Sequence, residues 1–157
     1  PVGNLPSQLY GNVYLNELDH FVKESLRMKY YVRYMDDFVI LHHDKRLLHV
    51  AWNEIAAFLR NRLALELNHK TAVFPVSQGI DFLGYRIWTY RRILRKAYVK
   101  RIKRMMRRFE RDYAVGRITQ EEIRRVMSSW NGRAMNADVP QLKETIAARA
   151  AAMGIVF

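Results

Sequence analysis

Two strand-like runs separated by a short acidic turn constrain the fold of this chain more than any other feature. Tyr30–Tyr34 and residues 38–42 are rich in aromatic and β-branched side chains, which favour extended backbone. Only Met35, Asp36 and Asp37 lie between the two runs, and so short a connection suits a tight turn. The stretch therefore predicts a β-hairpin with two adjacent carboxylates at its tip.

Apolar residues at helical spacing lie on both sides of this hairpin. Before it, Pro6 and Ser7 suit a helix start, and the spacing that follows predicts a helix near residues 7–25. After it, Asp44 can cap a second helix. The apolar side of that helix is formed by Leu47, Leu48, Ala51, Ile55, Phe58 and Leu59.

Three short segments come next, LALELN, TAVFPV and IDFLGYRIW, and polar turns separate them. Two of the three are strand-like, and Pro75 indicates that the middle one is an edge strand or an irregular extension. Helices and short strands together predict an α+β fold for the first part of the chain.

Three amphipathic helices are predicted after residue 90. The first runs from about Val99 to a stop at Gly116. Its inward residues are Ile102, Met105, Met106, Phe109 and Tyr113. We therefore expect two domains, 1–90 and a helical bundle of 91–157.

Capping signals place the other two helices of the bundle. Thr119 and Glu122 have the spacing of a capping box, and Asp138 with Pro140 suits the start of the last helix, which Gly154 can end. The inward residues of the middle helix are predicted to be Ile123, Val126, Met127 and Trp130.

Positive charge is concentrated in the second part of the chain. The formal net charge is +12 over 157 residues; residues 1–90 hold 10 basic and 9 acidic side chains, and residues 91–157 hold 17 and 6. Such a basic region favours a polyanion, above all nucleic acid. No apolar run approaches the roughly 18 residues of a membrane span, so we expect a soluble, intracellular protein that does not bind membranes. The absence of cysteine excludes disulfides and thiolate zinc sites.

The paired carboxylates have two interpretations. Aspartate is common in tight turns, where its side chain bonds nearby backbone. Two adjacent carboxylates also repel each other unless a cation lies between them, and oxygen ligands suit Mg²⁺ or Mn²⁺. The second interpretation points to phosphoryl transfer with metal ions, with Asp36 and Asp37 as ligands. Such a site usually includes another carboxylate from a separate strand, and no other residue is an obvious candidate.

Four motifs in order resemble the reverse transcriptases, RNA-directed DNA polymerases with a right-hand fold. Tyr34-Met35-Asp36-Asp37 matches their YxDD hairpin. The segment PVGNLPSQLYGNVYLNELD resembles the one that precedes this hairpin, LNHKTAVFPV resembles the later lysine-bearing segment, and GIDFLGYRI is similar to the primer-grip hairpin. The resemblance implies the C-terminal part of a palm, with a helix, the hairpin, a second helix and a small antiparallel sheet, followed by a basic three-helix thumb.

The resemblance also implies a subclass and a gap. Gly3 to Gln8 fits the xGxxxSQ form found in reverse transcriptases of diversity-generating retroelements, which implies a cytoplasmic enzyme of bacterial or phage-borne origin. The fingers and the palm strand with the family's first metal-binding aspartate have no counterpart here. We therefore expect a chain that is inactive alone and needs the missing N-terminal part, with an accessory protein as a further partner.

Site roles follow from the same resemblance. Asp36 and Asp37 would be catalytic and bind Mg²⁺ or Mn²⁺, and Lys70 would assist the departing pyrophosphate or be a plain surface lysine. The deoxynucleoside triphosphate and the template would be bordered by Gly3, Ser7, Gln8, Tyr34 and Met35. The primer grip would be Phe82, Leu83 and Gly84, with the first two anchored in the core. The family likeness also suggests strained backbone at Met35.

Eleven of the 21 residues from 91 to 111 are Arg or Lys, more than a solvated helix face needs. We expect contacts with the backbone of an RNA template and DNA primer duplex from Arg91, Arg92, Arg95, Lys96, Lys100, Arg101, Lys103, Arg104, Arg107 and Arg108. His42 and His43 are expected on opposite faces of a strand. The competing function is a non-catalytic, basic nucleic-acid-binding module; a degenerate remnant or a subunit of a two-chain enzyme is a third.

Overall fold

A computed structural model describes residues 5–156, apart from the side chain of Leu5. The chain divides between residues 74 and 75 into two compact units, called here the first unit and the second unit. Each unit contains helices and one small antiparallel sheet. The chain therefore has the α+β character that the sequence predicts.

The first unit is built from two helices and one hairpin. Helix α1 (Leu5–His20) continues into a π-helical turn (Phe21–Ser25). Strands β1 (Tyr30–Tyr34) and β2 (Asp37–Leu41) pair antiparallel, and helix α2 (Lys45–Leu63) follows. Buried apolar residues join these elements: Leu18, Val22, Met28, Ala51, Ile55, Leu59 and Leu63.

Helix α1 is buried only toward its C-terminal end. Leu18 is 1% exposed, whereas Leu9, Tyr10 and Val13 are more than half exposed. The helix matches the predicted one, yet the apolar residues of its first half lie in solvent in the described part of the chain. Tyr14 is half exposed and donates a hydrogen bond to the carbonyl of Leu63 at 2.6 Å, which satisfies a carbonyl at the end of α2.

Helix α2 begins and ends with local capping structures. The carboxylate of Asp44 accepts a hydrogen bond from the backbone N–H of Arg46, as the sequence predicts, and Ala64 ends the helix in the left-handed region. Leu47 is 45% exposed, so this residue of the predicted apolar side is not in the core. The buried side is instead extended at the other end of the helix by Leu63.

The second unit starts with a three-stranded sheet. Strands β3 (Ile80–Phe82), β4 (Tyr85–Ile87) and β5 (Arg92–Leu94) form it in sequence order, all antiparallel. The sequence did not predict β5, because the strand has only three residues and lies between arginines. No strand is formed over 64–79, so only one of the three segments, IDFLGYRIW, is strand-like, where two were predicted, and TAVFPV is irregular.

Three helices complete the second unit: α3 (Lys96–Ala114), α4 (Gln120–Ala134) and α5 (Pro140–Ala151). The capping box of Thr119 and Glu122 is present, and Pro140 is the first residue of α5. The core contains Ile102, Met106, Phe109, Ile123, Met127, Trp130, Ala134, Ile146, Ala150, Met153 and Ile155. Val126 was predicted to be buried but is 39% exposed, because it lies beside the inward stripe of α4.

The sheet is bonded to the helices within the second unit. Arg92 and Asp138 exchange two hydrogen bonds, from the N–H of Asp138 to the Arg92 carbonyl and from the N–H of Arg92 to the Asp138 carboxylate. The Tyr85 hydroxyl donates to the Arg133 carbonyl at 3.0 Å. These contacts tie the sheet to the helices within the second unit.

No helix in the described range 5–156 is long and apolar enough to cross a membrane.

Candidate active site

The two carboxylates lie at the tip of the β1–β2 hairpin. In the strand register Tyr34 is opposite Asp37, so Met35 and Asp36 form a two-residue turn. Asp36 and Asp37 are both exposed. Neighbouring strand positions face opposite sides of a sheet, and Asp37 therefore shares the outer side with Tyr34 and Val32, which are also exposed.

Met35 has the unusual backbone that the family likeness suggests. Its φ is +56°, in the left-handed region that an L-residue with a long side chain rarely adopts. The carbonyl of Met35 accepts a hydrogen bond of 2.8 Å from Nη1 of Arg33. The side chain of one strand residue thus holds the backbone of the turn directly before Asp36.

A network that connects α1 to the hairpin surrounds this arginine. Nε and Nη2 of Arg33 donate to the two carboxylate oxygens of Asp19 at 2.8 Å and 2.5 Å, and Nη1 also donates to Oδ1 of Asn12 at 3.1 Å. The Tyr31 hydroxyl donates to Asp19 at 2.6 Å. Arg33 and Asp19 are called here the clamp; their side chains are 10% and 29% exposed.

Electrostatics of the clamp follow from these bonds. The hydrogen bonds from the Arg33 guanidinium lower the pKa of Asp19, and the Asp19 carboxylate raises the pKa of Arg33. Burial, followed by the bond to Asp19, raises the pKa of Tyr31. All three groups therefore keep one protonation state near neutral pH, and the clamp stays charged on both sides.

The residues expected around the nucleotide and the template lie on α1 and at the hairpin. Ser7 and Gln8 are exposed in the first turns of α1, and Gly3 lies outside the described residues. Gln8 is four residues before Asn12, on the same side of the helix. The Asn12 amide approaches the sulfur of Met35 at 3.5 Å, so the side of α1 that carries Gln8 is the side that contacts the hairpin tip.

Lys70 lies in an Asx-type turn beyond α2. Its backbone N–H donates to the side chain of Asn68 at 3.0 Å, and the N–H of Thr71 donates to the Asn68 carbonyl at 2.8 Å. The lysine side chain is exposed. Within the described residues no hydrogen bond or ion pair joins it to Asp36 or Asp37, so its catalytic role stays a prediction.

The donor atoms at the hairpin tip fit Mg²⁺ or Mn²⁺ in type. Asp36 and Asp37 offer oxygen ligands only, and within residues 5–156 neither forms an ion pair with a basic side chain. No group of three His, Cys, Asp or Glu residues that could hold a metal ion is present in that range. The two carboxylates can thus be part of a metal site, completed by substrate phosphates or by another carboxylate.

His42 and His43 are stacked on each other, with ring centroids 4.3 Å apart. The expectation that they point to opposite faces of a strand is wrong, because β2 ends at Leu41 and the strand alternation ends with it. Nδ1 of His42 accepts a hydrogen bond from the N–H of Asp44, a contact that belongs to the start of α2.

The expected primer grip forms the tight turn between β3 and β4. Leu83 and Gly84 both have positive φ, +52° and +84°, the pattern of a type I′ hairpin turn. Phe82 is half-buried, but Leu83 is 45% exposed. The prediction that Leu83 anchors the turn in the core is therefore wrong, since a residue at the turn itself extends beyond the sheet.

The second unit carries the basic surface. All ten residues expected at the nucleic-acid backbone are exposed. Among the described residues, only Arg95 and Arg108 of the ten lie within 4 Å of a carboxylate, those of Asp81 and Asp112. Most of the positive charge on α3 is thus available to an external anion.

Arginines also stack on aromatic rings near β4. The Arg91 guanidinium lies 4.7 Å from the centre of the Trp88 ring, and that of Arg92 lies 5.2 Å from the Tyr85 ring. The Trp88 ring packs on Gly79, where an added Cβ would lie 2.6 Å from it. These contacts order the start of the basic segment.

Sequence analysis did not identify the clamp or Asn12 as part of the site. One signal was present: strand alternation places Arg33 on the same inner side as Tyr31, and a charge on the inner side of a strand needs a partner. The sequence could not name Asp19 as that partner, since its pairing depends on how α1 packs on the hairpin.

The chain matches the family model described as reverse transcriptase (RNA-dependent DNA polymerase) over residues 1–87. The matched range contains the acidic hairpin, the clamp and the β3–β4 turn. No curated protein matched the chain. The chain belongs to the reverse transcriptase family, whose members are nucleotidyltransferases.

Proposed function

We propose that this chain carries part of the active site of an RNA-directed DNA polymerase, which extends a primer 3′-hydroxyl with deoxynucleotides on an RNA template. The observation that carries the proposal is the hairpin tip: two exposed, adjacent carboxylates follow a left-handed Met35 inside the family-matched range. A turn that needed aspartate only for its shape would not require the second carboxylate.

Asp36 and Asp37 are the residues that would hold divalent cations, Mg²⁺ or Mn²⁺. Bound cations would activate the primer hydroxyl and offset the charge that develops on the phosphates. The primer hydroxyl would lose its proton to solvent, its oxygen would form a bond to the α-phosphorus, and the bond from that phosphorus to the oxygen bridging to the β-phosphorus would break as pyrophosphate leaves. Lys70 would neutralise or protonate the departing pyrophosphate, as the family likeness implies.

Tyr34 and Met35 would border the primer terminus and the incoming nucleotide, and Ser7 and Gln8 would approach the nucleotide and the template base. Support comes from the contact between Asn12 and Met35, which relates the Gln8 side of α1 to the hairpin tip. Phe82, Leu83 and Gly84 would touch the primer backbone. An exposed apolar side chain at the turn, Leu83, is available for that contact.

We assign residues 1–90 to the palm and 91–157 to the thumb. The family match ends at residue 87, while the compact units divide between residues 74 and 75. By the family match the β3–β4 hairpin would belong to the palm, although it packs in the same unit as the helices assigned to the thumb. The ten exposed basic residues would bind template-primer phosphates by charge and shape.

The subclass is proposed on the segment Gly3–Gln8, which fits diversity-generating retroelements of bacteria or their phages. Retroelements of this class miscopy template adenines, and Gln8 is the residue we connect with that property. Gln8→Pro in the full-length enzyme should change the error spectrum at adenines, measured by sequencing of the cDNA. An unchanged spectrum would remove Gln8 from this role.

The decisive experiment replaces Asp36 by alanine in the full-length polymerase. Loss of the metal-binding carboxylate should reduce primer extension by at least about 10³-fold, in line with removal of a group central to transition-state stabilisation, while duplex binding is retained. Arg125→Gln on α4 is the control. Full activity of Asp36→Ala, and of the variant that also carries Asp37→Ala, would instead favour the non-catalytic nucleic-acid-binding module.

The chain by itself is proposed to be inactive. The outer side of the hairpin carries exposed apolar residues, Tyr30, Val32 and Tyr34, and a hairpin gains stability when such a face is covered by further strands or by a helix. Primer extension by the purified chain with no added protein would contradict this proposal; recovery of activity on adding the N-terminal part of the enzyme would support it.

A further inference from the structure

Arg33 is the one side chain, in the described part of the chain, that bonds both α1 and the turn between β1 and β2. Its guanidinium makes two hydrogen bonds to Asp19, one to Asn12 and one to the Met35 carbonyl. A bidentate arginine–carboxylate pair fixes the direction of the guanidinium plane. The Arg33 N–H that donates to the Met35 carbonyl is therefore held in place by Asp19 of helix α1.

The carbonyl of Met35 is directly linked to the backbone of Asp36. This carbonyl and the N–H of Asp36 belong to one planar peptide group, so a bond that fixes the oxygen also fixes the orientation of the backbone from which the Asp36 side chain starts. Met35 is in the left-handed region, which a surrounding contact must maintain. The hydrogen bond from Arg33 is such a contact.

We propose that Arg33, oriented by Asp19 and assisted by Asn12, is a positioning residue that sets the direction of the Asp36 carboxylate. This inference rests on the proposed function, because it assigns a purpose to Asp36. It is distinct from a simple tie between α1 and β1, for which the bonds to Asp19 would suffice and the bond to the turn would be superfluous.

The same network connects two parts of the proposed site. Asn12 and Asp19 are seven residues apart, about two turns along α1, and Gln8 lies one further turn toward the N-terminus on that side. A shift of α1 would reach the Met35 carbonyl through Arg33. The residues proposed to meet the template base are thereby coupled to the direction of the catalytic carboxylate.

The test uses the full-length polymerase with Arg33→Met, Arg33→Lys and Asp19→Asn. Methionine retains much of the arginine volume but donates no hydrogen bond, and lysine keeps the charge without the fork. Arg149→Met is the matched control, since Arg149 forms an ion pair of 3.0 Å with Glu110 in the second unit, with both side chains partly buried. Asp36→Ala is measured beside them.

Two readouts distinguish positioning from general structural support. The first is kcat and KM for single-nucleotide incorporation, measured well below the unfolding temperature of each variant. The second is Mn²⁺ affinity by electron paramagnetic resonance, with hydrogen exchange of the segment 34–38 as a companion. Neither Mn²⁺ affinity nor exchange depends on turnover.

We expect Arg33→Met to lower kcat and Mn²⁺ affinity roughly 10- to 100-fold, as loss of a group that orients a metal ligand does, with KM changed by less than about threefold. Arg33→Lys and Asp19→Asn should fall between it and the wild type, exchange over 34–38 should accelerate, and Arg149→Met should leave all values unchanged.

The proposal is wrong if Arg33→Met keeps the kcat and Mn²⁺ affinity of the wild type, or if its activity falls only in proportion to the folded fraction. Should Arg33→Met not fold, Arg33→Lys decides by the same two readouts. Failure of the proposed function is separate: it shows as an active Asp36→Ala enzyme, whatever the Arg33 variants do.

Discussion

Arg33 illustrates how much of this site depends on single side-chain positions. Its strand neighbours Val32 and Tyr34 point outward and are more than half exposed, whereas Arg33 points inward and is 10% exposed. A guanidinium on the inner side of a strand is stable here because Asp19 supplies a bidentate partner. The charge that strand alternation places inside is thus compensated by a helix residue.

Asp19 should make the first unit sensitive to acid. Its pKa is lowered in the folded state by Arg33, so Asp19 contributes stability above its unfolded pKa of about 3.8, and that contribution is lost as pH falls through the folded value. The difference in free energy of unfolding between wild type and Asp19→Asn should therefore shrink below pH ~3.8.

The measurement is urea unfolding at pH 5 and pH 3, followed by amide signals of residues 18–34. The control is Arg33→Met, which removes the main cause of the lowered pKa of Asp19. Adding Asp19→Asn to that background should change stability much less with pH. A wild-type difference that stays constant from pH 5 to pH 3 would contradict the assignment.

At the scale of elements, the β3–β4 turn has leucine at a position whose left-handed backbone disfavours it. Leu83 has φ +52° and Gly84 has φ +84°, where the first position of a type I′ turn prefers Asn or Gly. The resemblance of GIDFLGYRI to the primer-grip hairpin implies a hairpin here, and β3 and β4 form one. The exposure of Leu83 could not be predicted, since it depends on the exact turn register.

Leu83→Asn should stabilise the second unit by about 1 kcal/mol, because asparagine tolerates the left-handed region with less strain and Leu83 is already 45% exposed. Thermal unfolding of the second unit measures the change. Gly84→Ala, whose Cβ would meet open space, should destabilise it by a similar amount through backbone strain alone.

If Leu83 touches the primer, Leu83→Asn should weaken primer binding although it raises the stability of the second unit. A variant that is less stable than wild type would show that the turn does not have the conformation described. Unchanged primer binding would leave the turn without the proposed contact.

At the scale of the whole molecule, the acidic hairpin and the basic surface lie in different parts of the chain. The first unit holds the carboxylates and the clamp, and the second holds the exposed basic residues of β5 and α3. The inward stripe of α3, with Ile102, Met106 and Phe109 buried, leaves the remaining faces to lysine and arginine. The helix therefore combines a core-forming side with sides of exposed positive charge.

Binding of an RNA–DNA duplex to this chain should depend steeply on salt. Each phosphate contact contributes about 0.9 to the slope of log K against log salt. Replacing Lys100, Lys103 and Arg107, which share one side of α3, by glutamine should reduce the slope by up to about 3, as measured by fluorescence anisotropy between 50 and 300 mM salt.

The matched control removes three charges outside the proposed surface, with Arg117, Arg124 and Arg125 replaced by glutamine. If net charge alone determined binding, both triple variants would lose the same slope. Equal losses, or a slope near zero for the wild type, would contradict the assignment of the α3 surface to phosphate binding.

The sequence alone determined the features that depend on neighbouring residues: the acidic hairpin, the caps of α2 and α4, the inward stripe of α3 and the family motifs. Each of these rests on spacings of one to four residues, over which backbone geometry is nearly fixed. Strand β5 was not predicted, because three residues are too few to show an alternation.

Only the tertiary structure decided which distant residues meet. Asp19 and Arg33 are fourteen residues apart, and the bonds between Arg92 and Asp138 join residues forty-six apart. No local pattern encodes such pairs, because they follow from how helices pack on hairpins. The carboxylates could be read from the sequence, but the arginine that orients their turn became visible only when α1 was packed against β1.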